Sequence, residues 1–129
     1  MPSIRALLAR PMTSDHQLQK LAERMGIHDL RIGWASDYDP VYAGPQILNL
    51  GSTRQGGTHW VATYGDWYFD SLGLPPPPIR GLDRKQYAPL DIQPSDQGHC
   101  GQYAISWLYY ALRDDVDGFY SLFKPLNIT

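Results

Sequence analysis

The chain is 129 residues long, 43% hydrophobic and 19% charged, with four Trp, nine Tyr and three Phe; that is enough apolar and aromatic material for one packed domain, and it excludes global disorder. Thirteen acidic residues against eleven basic leave a net charge of −2, which weighs against a protein held mainly to a nucleic-acid backbone. A single cysteine excludes an internal disulfide framework and a Cys-rich zinc site, and no run nears the ~20 apolar residues of a membrane span or makes a signal peptide, so a soluble protein of a reducing compartment is expected.

Residues 1–12 read as a mobile lead-in, with Met12 an alternative start, and 13–129 as a single domain. Ser14 with Gln17 three residues on makes a capping box. Leu18, Leu21, Ala22 and Met25 form one apolar stripe, and Gly26 supplies a stop, so the spacing predicts a helix over 15–25. Ile27–Trp34 and Gln46–Leu50 are short apolar segments between Gly, Pro and Asp, which predicts strands, with 37–45 a loop. Thr58–Thr63 and Asp66–Asp70 are rich in aromatic and β-branched residues, and Tyr64-Gly65 between them suggests a hairpin turn. Pro75–Pro78 fits neither a helix nor a central strand and reads as a rigid surface connector. Cys100–Leu112 is apolar nearly all round, which predicts a buried central helix. Asp117–Phe123 reads as a short last helix before Pro125.

The one cysteine therefore falls at the start of the buried helix. A helix N-terminus presents unpaired N–H groups and positive potential, and both favour the thiolate, the nucleophilic form. Free cysteine is equally a common small buried hydrophobe, so position alone leaves both roles open. A thiolate nucleophile needs an imidazole as base and acid. His16 on a surface helix and His28 beside a turn suit solvated roles, and His99 adjoins Cys100 in sequence, where side chains point apart. His59 starts a strand and is the better partner. With Tyr64-Gly65 as the turn, His59 lies directly opposite Asp70, at the ~4.5–5.5 Å Cβ separation over which a carboxylate orients an imidazole. A Gly65-Asp66 turn pairs Asp70 with Val61 instead, and Asp66 itself reads as a solvated carboxylate. Acyl transfer also needs donors for a developing oxyanion: the Cys100 N–H and a side-chain amide, for which spacing leaves Gln93 and Gln97 both open.

Four stretches together resemble the adenovirus-type, adenain-like cysteine proteases, above all the compact forms of virophages and polinton-type elements. They are GGTHWVA (56–62), WYFDSLGLPPP (67–77), IQPSDQGHCGQYAISWL (92–108) and MTSDHQLQKLAERMGIHDLRIGWAS (12–36). They are spread from residue 12 to residue 108, in the family's order of His, acid, Gln, Cys. The resemblance implies Cys100 as nucleophile, His59 as general base, Asp70 as the orienting acid and Gln93, seven residues before the cysteine, as the oxyanion glutamine. It also places Gly57 and Trp60 beside the substrate, with Trp60 shielding the site, although a core role suits Trp60 equally. Ala104 and Ser106 stand where relatives often carry further cysteines, so a disulfide-tethered activating peptide has no anchor other than the nucleophile.

The fold implied is α+β and papain-like, with a small mixed sheet packed against the helix that carries the nucleophile. The function implied is a viral endopeptidase that cuts capsid or core precursors in virions and infected cells. It would act as a monomer without metal or cofactor, open to a protein activator and with DNA disfavoured in that role by the acidic balance. Two rivals keep the same fold: a protease removing ubiquitin-like modifiers, and a catalytically silent binding protein.

Overall fold

The structure, a computed structural model, describes residues 14–52, 58–92 and 99–123. Helix α1 spans Asp15–Arg24 and opens on the expected capping box: the Gln17 N–H donates to Ser14 Oγ, and the Ser14 N–H donates back to Gln17 Oε1. It ends on a Schellman pair, with Gly26 N–H bonded to the Glu23 carbonyl and Ile27 N–H to that of Ala22. Leu18, Leu21 and Ala22 are its buried stripe.

Among the described residues four strands make one sheet in the order β1-β2-β3-β4. They are β1 (Arg31–Trp34), β2 (Gln46–Ser52), β3 (Thr58–Tyr64) and β4 (Trp67–Phe69). β1 runs parallel to β2, and the other neighbours are antiparallel. The first strand is shorter than the predicted Ile27–Trp34. Ile27 is spent on the helix cap, and Asp29 takes a φ of +59° that no strand tolerates.

The hairpin register also differs from expectation. Tyr64 pairs with Trp67 and Ala62 with Phe69, so the two-residue loop is Gly65-Asp66 rather than Tyr64-Gly65. Gly65 has a φ of +58° and Asp66 is not in the positive-φ region, the pattern of a type II′ loop, which wants glycine first. That register carries Asp70 to the level of Val61, not of His59.

A 3-10 turn at Ala35–Asp37 follows β1, and helices α2 (Cys100–Ala111) and α3 (Val116–Ser121) follow the sheet. The last helix starts one residue earlier than the expected 117–123 because Asp115 caps it, its side chain accepting from Gly118 N–H. It ends at Ser121, two residues earlier than expected.

Strand alternation puts Trp60, Ala62 and Phe69 on the face that packs against α1 and α2, and Val61 and Tyr68 on the other, with Leu48, Ala35 and Leu82. Helix α2 is buried from Cys100 through Leu108, as a helix apolar all round must be. Its Trp107 is fully buried and stacks on Phe69, with ring centroids 5.6 Å apart. Trp107→Ala is expected to cost about 3–5 kcal/mol, a large part of the ~5–15 kcal/mol that holds a domain together. A urea unfolding curve with an unchanged slope and a lowered midpoint is the check.

Candidate active site

Cys100 is the first residue of α2, and no side chain caps the helix at His99. The preceding residue does enter the helix ladder, since the His99 carbonyl accepts from Tyr103 N–H. The cysteine side chain meets the end of β3. The Trp60 backbone N–H points at Cys100 Sγ across 3.3 Å, and an N–H aimed at sulfur favours its negative form.

His59, one residue earlier on β3, is buried and bonds Asp70 Oδ1 through Nε2 at 2.7 Å. It also hydrogen-bonds Cys100. With Nε2 committed to the carboxylate, Nδ1 is the ring nitrogen left for the sulfur. Burial opposes a charge on this imidazole, but the Asp70 bond and charge and the Cys100 bond outweigh it, so His59 is raised from the ordinary 6.5 to about 9. A carboxylate, an imidazole and a thiol thus form one connected line, with all three residues at most 5% exposed.

Asp70 reaches His59 although the ladder does not oppose them. β4 stops at Phe69, and Asp70 begins a turn in which Gly73 N–H bonds the Asp70 carbonyl at 2.8 Å. The Leu72 N–H donates to the same Oδ1 at 2.8 Å, which aims the carboxylate diagonally across one strand step, a reach open to side chains on a sheet. Oδ2 is buried without a hydrogen-bond partner among the described residues. Tyr68, two residues back, has a buried hydroxyl in the same condition. Burial, then the Asp70 charge, drives its phenol far above the ordinary 10, so it stays neutral.

Sequence reasoning therefore named the three residues that come together: Cys100, His59 and Asp70. Trp60 also lies at the site, with its ring in the core. Gln93, Gln97 and Gly57 lie outside the described residues. His16, His28 and Asp66 are exposed, as expected. What the sequence could not signal are the two backbone donors, Trp60 N–H on sulfur and Leu72 N–H on the carboxylate, since any residue supplies an N–H.

An open groove of about 820 Å³ lies at the other end of the sheet, where Arg31, Tyr42, Tyr64 and Leu112 line it. It is remote from the start of α2 and is not the path to Cys100. Among the described residues no group of three or more His, Cys, Asp or Glu side chains is placed to hold a metal ion. No helix among them is long and apolar enough to cross a membrane. Comparison of the chain with family models, with curated proteins and with solved structures returns no match.

Proposed function

We propose that this protein is a cysteine endopeptidase with a papain-like arrangement. The observation that carries the reading is the Asp70–His59–Cys100 line at the start of a buried helix. Each member fits its role: a carboxylate accepting from Nε2 leaves Nδ1 to take the thiol proton, and the helix start and the Trp60 N–H favour the thiolate. The packing of the nucleophile helix on the strand bearing the histidine supports the papain-like fold.

In the reaction, the Cys100 thiolate attacks the scissile carbonyl and an S–C bond forms. The oxyanion is held by the Cys100 N–H and, following the resemblance, by the Gln93 amide. His59 as imidazolium gives its proton to the leaving amine as the C–N bond breaks. Water, deprotonated by His59, then releases the acyl group and the thiolate is restored. The resemblance also implies a preference for small residues such as Gly at the cut. The resemblance to adenain-like proteases makes capsid or core precursors the proposed substrates, cut in the virion or the infected cell. Following the resemblance, Gly57 would flank the bound chain, while the Trp60 ring is in the core and its backbone N–H serves the sulfur.

The test is to incubate the protein with a proteome-derived peptide library and map new termini by mass spectrometry. Wild type is expected to create termini with small residues at the cut, and Cys100→Ala none. Equal fragments from both proteins would overturn the reading. A parallel panel of ubiquitin-like vinyl sulfone probes separates the rivals: labelling there with no library cleavage would assign the site to modifier removal.

A further inference from the structure

Asp70 uses one carboxylate oxygen twice and the other not at all. Oδ1 accepts from His59 and from the Leu72 N–H, whereas Oδ2 is buried with no hydrogen-bond partner among the described residues. The Asp70 side chain is 1% exposed. Tyr68 precedes it by two, the spacing at which side chains of an extended chain share a face. The Tyr68 hydroxyl is likewise buried and unpartnered among the described residues. Its ring packs with Ala35, Leu48, Val61 and Leu82, none of which carries a polar side-chain atom. Oη and Oδ2 are thus not bonded to each other, yet the Asp70 charge is felt at the phenol, where it adds to burial in holding the proton on. A donor and an acceptor closed to solvent, within each other's field but past hydrogen-bond distance, are the two partners of a buried water.

We propose that one water molecule sits between Tyr68 Oη and Asp70 Oδ2, accepting from the phenol and donating to the carboxylate, and that Tyr68 is thereby a positioning residue for the acid of the site. The last torsion of an aspartate is broad and roughly two-fold, so a carboxylate whose Oδ2 is unheld can turn and exchange its oxygens. The bridge fixes that torsion and keeps Oδ1 on the imidazole. It also stabilises the Asp70 charge whenever His59 is neutral. The inference deepens the cysteine-protease reading above and takes its role in the reaction from it.

Tyr68→Phe keeps the ring and deletes the donor, and an NMR pH titration of the His59 Cε1–H reads the consequence. The groups that act on His59 are Asp70 and Cys100, and both remain in the variant. The lost hydrogen bond matters least while Asp70 faces an imidazolium. It matters most once His59 is neutral and the carboxylate stands buried and uncompensated. The imidazolium should therefore persist to higher pH, and the midpoint should rise from about 9 by about 0.5 or more. In an Asp70→Asn background, where that charge is gone, the same substitution should move the midpoint by less than about 0.2. A merely structural hydroxyl would move it in neither background. Deleting an orphaned buried hydroxyl would also leave the urea midpoint unchanged or raise it, whereas loss of the bridge should lower it.

A crystal structure of the wild-type protein tests the bridge without any substitution. Density for a water within ~3.2 Å of both Tyr68 Oη and Asp70 Oδ2 is expected; a protein group on Oδ2, or no density between the two atoms, would overturn the inference. An unmoved His59 midpoint in folded Tyr68→Phe would overturn it too, and Cys100-dependent cleavage of the peptide library would then leave the protease reading standing. Fragments that form equally without Cys100 would instead sink the protease reading, and with it the part of Tyr68 in acyl transfer.

Discussion

Replacing His59 with alanine should turn Cys100 from a thiol that reacts across the acid range into an ordinary one. In wild type, iodoacetamide alkylation is expected to vary by less than about tenfold between pH 5.5 and 8.5. In His59→Ala it should drop about tenfold per pH unit below the free-thiol value of ~8.5, a thousandfold over the same span. The argument is one of proton count. A thiolate paired with an imidazolium needs no hydroxide to form, so its population does not follow pH until the pair itself is protonated. Without the imidazole, the buried sulfur loses its base while the Trp60 N–H still points at it. Absolute rates are the wrong readout, because a more acidic thiolate is a weaker nucleophile, with a Brønsted slope near ~0.4–0.5. The shape of the profile is free of that compensation. Coincident profiles for the two proteins would remove the pair and, with it, the acyl-transfer mechanism.

The residues of the site were legible in the sequence for reasons of different quality. Cys100 at the head of a helix follows from apolar content alone, because a helix apolar all round is buried and its start is near the end of the strands it covers. The Ser14 capping box was readable because both its bonds are local, three residues apart. His59 with Asp70 was reached through a hairpin register that the structure replaces by one two residues different. The pair survives because Asp70 is past the end of the ladder, where the Leu72 N–H and the 70–73 turn direct its carboxylate. Register arithmetic applies only inside a ladder, and the deciding group here is an amide that any residue would supply. The strand shortened at Ile27 was misread for a related reason. An apolar residue after a helix-ending glycine serves equally as the Schellman contact and as a strand start, and only the backbone bond to Ala22 distinguishes them.

The charge on His59 gives a second large effect, and its sign can be worked from the neighbours. Burial alone would push this imidazole below 6.5, and it titrates near 9 because the Asp70 carboxylate and Cys100 favour the cation more strongly. The imidazolium is therefore the form present at neutral pH, and it is lost as pH rises through about 9. Asp70→Asn takes away the negative charge while keeping the shape. Burial then outweighs what remains, and the midpoint should fall toward or below the ordinary 6.5. The amide also inverts the hydrogen bond: its NH₂ can donate to Nε2, which sends the ring proton to Nδ1, the nitrogen that must accept from Cys100. A catalytic loss on the order of 10⁴ accompanies that wrong tautomer in serine protease triads, and acylation by p-nitrophenyl acetate at pH 7 should drop steeply here as well. NMR of the His59 Cε1–H through a pH titration measures the midpoint directly. Cys100→Ala supplies the comparison, since it lowers the midpoint by removing only the sulfur's share. A midpoint that stays near 9 in Asp70→Asn would mean that the carboxylate does not hold the proton on His59, and the Asp–His half of the site would lose its role.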